Sequence, residues 1–227
     1  MAAVNALISS CGRGGRADLS LALINEMESK FGAKPDHRSY RSAMIACNQA
    51  QHEQVLYRAG GLVNEELGHI SWWECALSLW RRMKEDNLAP DVQTISSVIS
   101  ACESAGQWQR ALGILQTVMD GNSNNKGLNL YCFNAAISAC EKGGAWIEAL
   151  DLYERMMDQG GKLSPNFVTL NSLIVALDKA GQEELAQSKY EEARRMKIVN
   201  PWRKTLDERK EEILAIVSSL IIFFSMS

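Results

Sequence analysis

Apolar residues recur along the chain in two alternating phrases, each spaced so that one face of a helix is buried. The first closes on a repeated motif: Leu7-Ile8-Ser9-Ser10-Cys11, Met44-Ile45-Ala46-Cys47, Val98-Ile99-Ser100-Ala101-Cys102 and Ala136-Ile137-Ser138-Ala139-Cys140. The cysteines lie 36, 55 and 38 residues apart. A further copy, Leu173-Ile174-Val175-Ala176-Leu177, follows after 37 residues with leucine in the cysteine position. A small buried hydrophobe tolerates that exchange and a metal ligand does not. Cys11, Cys47, Cys102 and Cys140 are therefore expected to be buried, unpaired and metal-free.

The second phrase runs in step with the first. Ala76, Ala111, Ala149 and Ala186 are spaced by 35, 38 and 37 residues, and Trp73, Trp108 and Trp146 each precede an alanine by three. Met83 and Met156 follow Ala76 and Ala149 by seven residues, two helical turns. Gly106, Gly144 and Gly181 fall between the phrases, where a helix ends and the chain turns. Pro35-Asp36, Pro90-Asp91 and Pro165-Asn166 close units and are expected to stop each second helix.

A period near 36 residues means stacked helical hairpins, each covering its neighbour's apolar face. The fold class predicted is all-α, a right-handed α-solenoid of about five helix-turn-helix hairpins. The units fall at 1–36, 37–91, 92–129, 130–166 and 167–200. The second carries about twenty extra residues, 51–71, read as a surface loop in the hairpin turn or as translated unspliced sequence. Residues 201–227 form a capping helix or tail: Thr205-Leu206-Asp207-Glu208 reads as a capping box, and the apolar run Ile213–Phe224 could cover the last repeat. Twelve residues are too few to span a bilayer, so no membrane is expected.

Composition narrows the function. With 27 acidic against 24 basic residues, non-specific coating of nucleic acid is excluded, and binding would need a local surface. A basic cluster from Arg194 to Lys210 reads first as a solvated helix face. The chain has no Cys-x-x-Cys, phosphate-binding glycine loop, Gly-x-Ser-x-Gly or His-Glu-x-x-His, and two of its three histidines lie in the insertion. No catalytic residue, cofactor or metal is expected.

The phrases Tyr131-Cys132-Phe133-Asn134-Ala135-Ala136-Ile137-Ser138-Ala139-Cys140 and Ala149-Leu150-Asp151-Leu152-Tyr153-Glu154-Arg155-Met156 resemble the pentatricopeptide repeat. So does Val168-Thr169-Leu170-Asn171-Ser172-Leu173-Ile174, and the likeness covers about 200 of 227 residues. The chain opens inside its first helix, which fits either a fragment or a short member working beside a partner. The resemblance implies selective binding of single-stranded RNA, not DNA, at about one base per repeat. It also implies a mitochondrial or plastid location and a role in transcript processing, stability or translation. By the same resemblance, the base-reading pairs are Asn5 with Asp36, Arg41 with Asp91, Ser96 with Asn129, and Asn134 with Asn166. Asn171 is a fifth first reader. The family's pairing implies uracil, adenine and a pyrimidine for the first, third and fourth units; Arg41 departs from the family's usual residue there. Bases would stack against the residues three before each first reader: Ala2, Arg38, Gln93, Tyr131 and Val168, of which Tyr131 is the best platform. From the residues alone, each polar reader could equally cap a helix. The alternative function is a protein-interaction scaffold that uses the concave face of the solenoid.

Overall fold

The computed structural model describes residues 2–59, 71–121 and 128–196. Among these the chain forms helices only: α1 (Ala2–Arg13), α2 (Ala17–Phe31), α3 (His37–Ala59), α4 (Trp72–Glu85), α5 (Val92–Ser104), α6 (Trp108–Gly121), α7 (Leu130–Gly143), α8 (Trp146–Gln159), α9 (Phe167–Lys179) and α10 (Glu183–Arg195), with one 3₁₀ turn at Gly161–Leu163. Consecutive helices pair as hairpins. The odd-numbered helices also pack on one another in order, α1 on α3, α3 on α5, α5 on α7 and α7 on α9. α2, α4, α6 and α8 each lie against their own hairpin partner and the next odd helix, and α10 packs on α9. The result is a two-layer helical solenoid with a continuous inner layer of odd helices.

The cysteine phrase explains why that layer packs closely. On α7, Cys132, Phe133, Ala135, Ala136, Ile137, Ala139 and Cys140 are all buried, so small side chains bring α5 and α9 near the α7 backbone. Cys47, Cys102, Cys140 and Leu177 are fully enclosed, as one recurring packing position demands. Cys11 differs: it is half-exposed, because among the described residues α1 has an inner-layer neighbour on one side only. In the second phrase Ala76, Ala111 and Ala149 are fully buried, and Ser20 takes the same place on α2, its hydroxyl donating to the Ile8 carbonyl oxygen at 3.1 Å.

One motif turns the hairpins. Gly15, Gly106, Gly144 and Gly181 have φ between +68° and +72°, a conformation that costs other residues a Cβ clash. The residue after each glycine donates its N–H to the carbonyl of the recurring cysteine or leucine: Arg16 to Cys11, Gln107 to Cys102 and Ala145 to Cys140 at 2.9 Å, and Gln182 to Leu177 at 3.0 Å. This is the six-to-one closure that ends a helix with its last carbonyls satisfied.

Two expectations require correction. The prolines do not stop the second helices. α2, α4 and α8 end earlier, at Phe31, Glu85 and Gln159, each followed within two residues by a positive-φ residue, Gly32, Asn87 or Gly160. Each proline instead directly precedes the residue that opens the next odd helix, holding the approach extended. The 51–71 segment is also not a loop from its start: α3 continues to Ala59, since nothing before Gly60 breaks it. Gln51 is buried, and its Oε1 accepts from the Trp73 N–H at 3.2 Å, serving α4 where Ser71 makes no side-chain cap. Residues 60–70, 122–127 and 197–227, including the apolar run Ile213–Phe224 and most of the basic cluster, lie outside the described residues. Among the described residues no helix is long and apolar enough to cross a membrane.

Candidate nucleic-acid interface

Each odd helix after α1 opens on a polar residue from the expected set. Asp91, Asn129 and Asn166 are the N-caps of α5, α7 and α9, accepting from the backbone N–H of Thr94, Cys132 and Thr169 at 2.8, 3.0 and 3.1 Å. Asp36 does the same for α3, with Ser39 N–H at 2.9 Å. The capping role that the residues alone left open is therefore real at all four positions. It coexists with the pairing.

Three of the four pairs are brought together. Asn5 Nδ2 donates to the Asp36 carboxylate at 3.0 and 3.1 Å. Asn134 Nδ2 donates to Asn166 Oδ1 at 3.3 Å, and Arg41 forms an ion pair with Asp91 at 3.1 Å. Ser96 is not joined to Asn129: its hydroxyl donates to the Gln93 carbonyl oxygen one turn back, at 2.9 Å. Asn171 occupies the equivalent turn of α9 and is half-buried.

The third member of each cluster was not anticipated. Three residues after the cap stands a buried hydroxyl, Ser39, Thr94 or Thr169; in α7 the position is Cys132. Ser39 Oγ donates to Asn5 Oδ1 at 2.6 Å and receives the Asp36 N–H at 3.1 Å. Thr169 Oγ1 donates to Asn134 Oδ1 at 2.6 Å and receives the Asn166 N–H at 3.0 Å. Two clusters over a hundred residues apart in sequence thus share one geometry. The signal was present as Asp/Asn-x-x-Ser/Thr, the spacing of a capping box.

Electrostatics follow the same contacts. Burial pushes the Asp36 carboxyl up, but the Ser39 N–H and hydroxyl and the Asn5 amide outweigh it and hold the pKa below the ordinary value. Asp91 is likewise raised by burial but lowered overall by Thr94 and by the Arg41 charge. Both are carboxylates at neutral pH.

The exposed edge of the odd helices continues the stripe. Tyr131 and Val168 are 54% and 50% exposed on neighbouring helices, unusual for such side chains and open to a planar partner. Arg38 and Gln93 are exposed at the matching turns of α3 and α5. The far end of the stripe is charged but self-paired: Lys142 reaches back to Glu103, and Lys179 to Glu141, each at 2.9 Å. Among the described residues no group of His, Cys, Asp or Glu could hold a metal ion.

The comparisons agree with this architecture. The model of the PPR repeat matches residues 2–30 and 131–161. No curated protein matches the sequence. In fold the chain is similar to nuclear proteinaceous RNase P 2 of Arabidopsis thaliana, with a TM-score of 0.68 at 13% identity, over 85% of this chain and 38% of that one. It is also similar to the PPR domain of A. thaliana protein-only RNase P 1, crystallised in complex with tRNA, with a TM-score of 0.67 at 11% identity, over 92% of this chain and 95% of that one. For the maize pentatricopeptide repeat protein PPR10 the TM-score is 0.53 at 20% identity, covering 85% and 29%. This chain therefore spans well under half of two of these three relatives. From the repeated phrases, the two matched stretches and the stack of paired helices, residues 2–30 and 131–161 carry PPR repeats within a helical stack similar in fold to these solved PPR proteins.

Proposed function

We propose that the inner stripe binds single-stranded RNA and that the pairs Asn5–Asp36 and Asn134–Asn166 each select one base. The observation that carries this reading is the polarity left over once each cluster has satisfied itself. In the first, Asp36 is an acceptor only, and Asn5, by sharing one Nδ2 proton between the two carboxylate oxygens, keeps its second proton for a ligand. An acceptor beside a donor complements uracil, whose pairing edge carries an N–H flanked by carbonyls. In the fourth, Asn166 Oδ1 already accepts from Thr169 N–H and from Asn134, so its Nδ2 is the group left to a ligand. Donor beside donor favours a pyrimidine with adjacent acceptors, and cytosine offers N3 and O2.

Tyr131 and Val168 flank the fourth pair and would sandwich that base; stacking of this kind contributes about 1–3 kcal/mol per base. Organellar transcripts are the targets to which the family resemblance points, in processing, stability or translation. The resemblance in fold to a domain crystallised with tRNA supports RNA as the ligand class.

The test is a binding series with short single-stranded RNAs differing at one position, for wild type and Asn166→Asp. The expected outcome is a shift of the fourth unit from cytosine towards uracil, with total affinity changing less than selectivity, because phosphate contacts are untouched. Identical base preferences in the two proteins would remove the reading.

A further inference from the structure

We propose that the buried hydroxyl three residues into an odd helix is a positioning residue for base selectivity, because it binds the first reader's amide oxygen and, with the cap oxygen opposite, locks that amide one way round. This rests on the base-reading proposal above and goes beyond it to residues that touch no base.

Backbone donors cannot be reversed. A backbone N–H only donates, so the Asn166 atom facing Thr169 N–H at 3.1 Å is the oxygen. The Asn134 atom facing that oxygen must then be Nδ2. Thr169 Oγ1 receives the Asn166 N–H and has one proton left, and the nearest acceptor for it is Asn134 Oδ1 at 2.6 Å. Two fixed backbone protons thus act on an amide 35 residues away in sequence, one through the Asn166 oxygen and one through the Thr169 hydroxyl. Asn134, itself 9% exposed, is left with its oxygen held by Thr169 and its Nδ2 by Asn166. In the first unit Asp36 cannot donate, so Asn5 turns Nδ2 towards it and Oδ1 towards Ser39 at 2.6 Å. Ser39 and Thr169 are both fully buried, so neither reaches a ligand itself.

The same logic separates the units that read from those that do not. The third unit has Cys132 in place of the hydroxyl, a weak donor, and Ser96 has turned to its own helix. In the second unit Thr94 is present but donates to Asp91 at 2.7 Å, because Arg41 has no acceptor to offer it. Of the first four units, the first and fourth carry an oriented amide. At one base per repeat, the first four units select two bases three nucleotides apart and pass over the two between.

The test compares wild type, Thr169→Val and Thr169→Ser on RNAs varied only at the nucleotide where Asn166→Asp alters preference. Valine keeps the shape and loses the proton; serine restores it. The expected result is that Thr169→Val loses most of the pyrimidine-over-purine ratio there while total affinity falls less than tenfold, and that Thr169→Ser keeps the ratio. Ser39→Ala should do the same at the first unit's nucleotide, which covers the case in which Thr169→Val fails to fold. A folded Thr169→Val or Ser39→Ala with the wild-type ratio would overturn the inference and leave base reading standing. A wild type with no base preference at any position would overturn both.

Discussion

Trp108 lies across Gly143, so a Cβ built at that glycine would stand 2.0 Å from the indole Cδ1. Gly143 closes α7 in the stretch before the turn, and no larger residue fits beneath the ring. Gly143→Ala should gain up to about 1 kcal/mol of helix propensity and lose about 1–3 kcal/mol to overpacking. The net expectation is a lower denaturant midpoint with a displaced Trp108 emission; an unchanged midpoint would refute the contact. The cysteines make a second residue-scale prediction. Burial pushes the Cys102 and Cys140 thiols up to about 12, and Cys47 higher than its ordinary value as well, whereas Cys11 is half-exposed. Thiol-directed reagent at neutral pH, followed by peptide mass spectrometry, should label Cys11 in native protein and the other three only after unfolding. The leucine in the fifth copy already pointed to enclosure. The exposure of Cys11 was not legible in its motif, because it depends on which neighbours an end helix lacks.

At the scale of the element, the caps carry structure and, on the proposed reading, recognition as well. Asp91→Ala removes an acceptor for the Thr94 N–H and the partner of Arg41. The cap contributes about 1 kcal/mol, and an exposed ion pair of this kind adds under about 1 kcal/mol. A loss of about 1–2 kcal/mol in chemical denaturation is expected; no loss would show that α5 does not depend on its cap. Helices and turns were readable in sequence because each repeated phrase is one buried face, and four of the five cysteine or leucine phrases are closed by one left-handed glycine. The end of α3 was not. Residues 51–59 lack the apolar repeat and resemble no other unit, yet hold good helix formers with no breaker before Gly60. The hydroxyls escaped notice for a different reason. Asp/Asn-x-x-Ser/Thr reads as a local cap, and the amide that Ser39 or Thr169 orients lies 34 or 35 residues away, visible only once the helices are packed.

Across the whole molecule, charge sets the pH range. Asp36, Asp91 and Glu192 all have pKa values below their ordinary ones; in Glu192 burial raises it, and Lys189 and the Tyr153 hydroxyl more than compensate. A depressed carboxyl adds stability above its unfolded pKa, about 3.9 for Asp and 4.3 for Glu. That stability is lost as pH falls through the folded-state value. Thermal melts should therefore hold steady from neutral pH to about 5 and fall progressively below about 4. A midpoint unchanged down to pH 3 would show that these contacts do not stabilise the fold. On the proposed reading, base contacts supply the sequence selectivity, since phosphate contacts carry none. Selection of bound sequences from a randomised single-stranded RNA pool measures that directly. The account predicts enrichment of uracil and a pyrimidine three nucleotides apart, with the two positions between them unselected. Bound sequences with the base composition of the input pool at every position would contradict it.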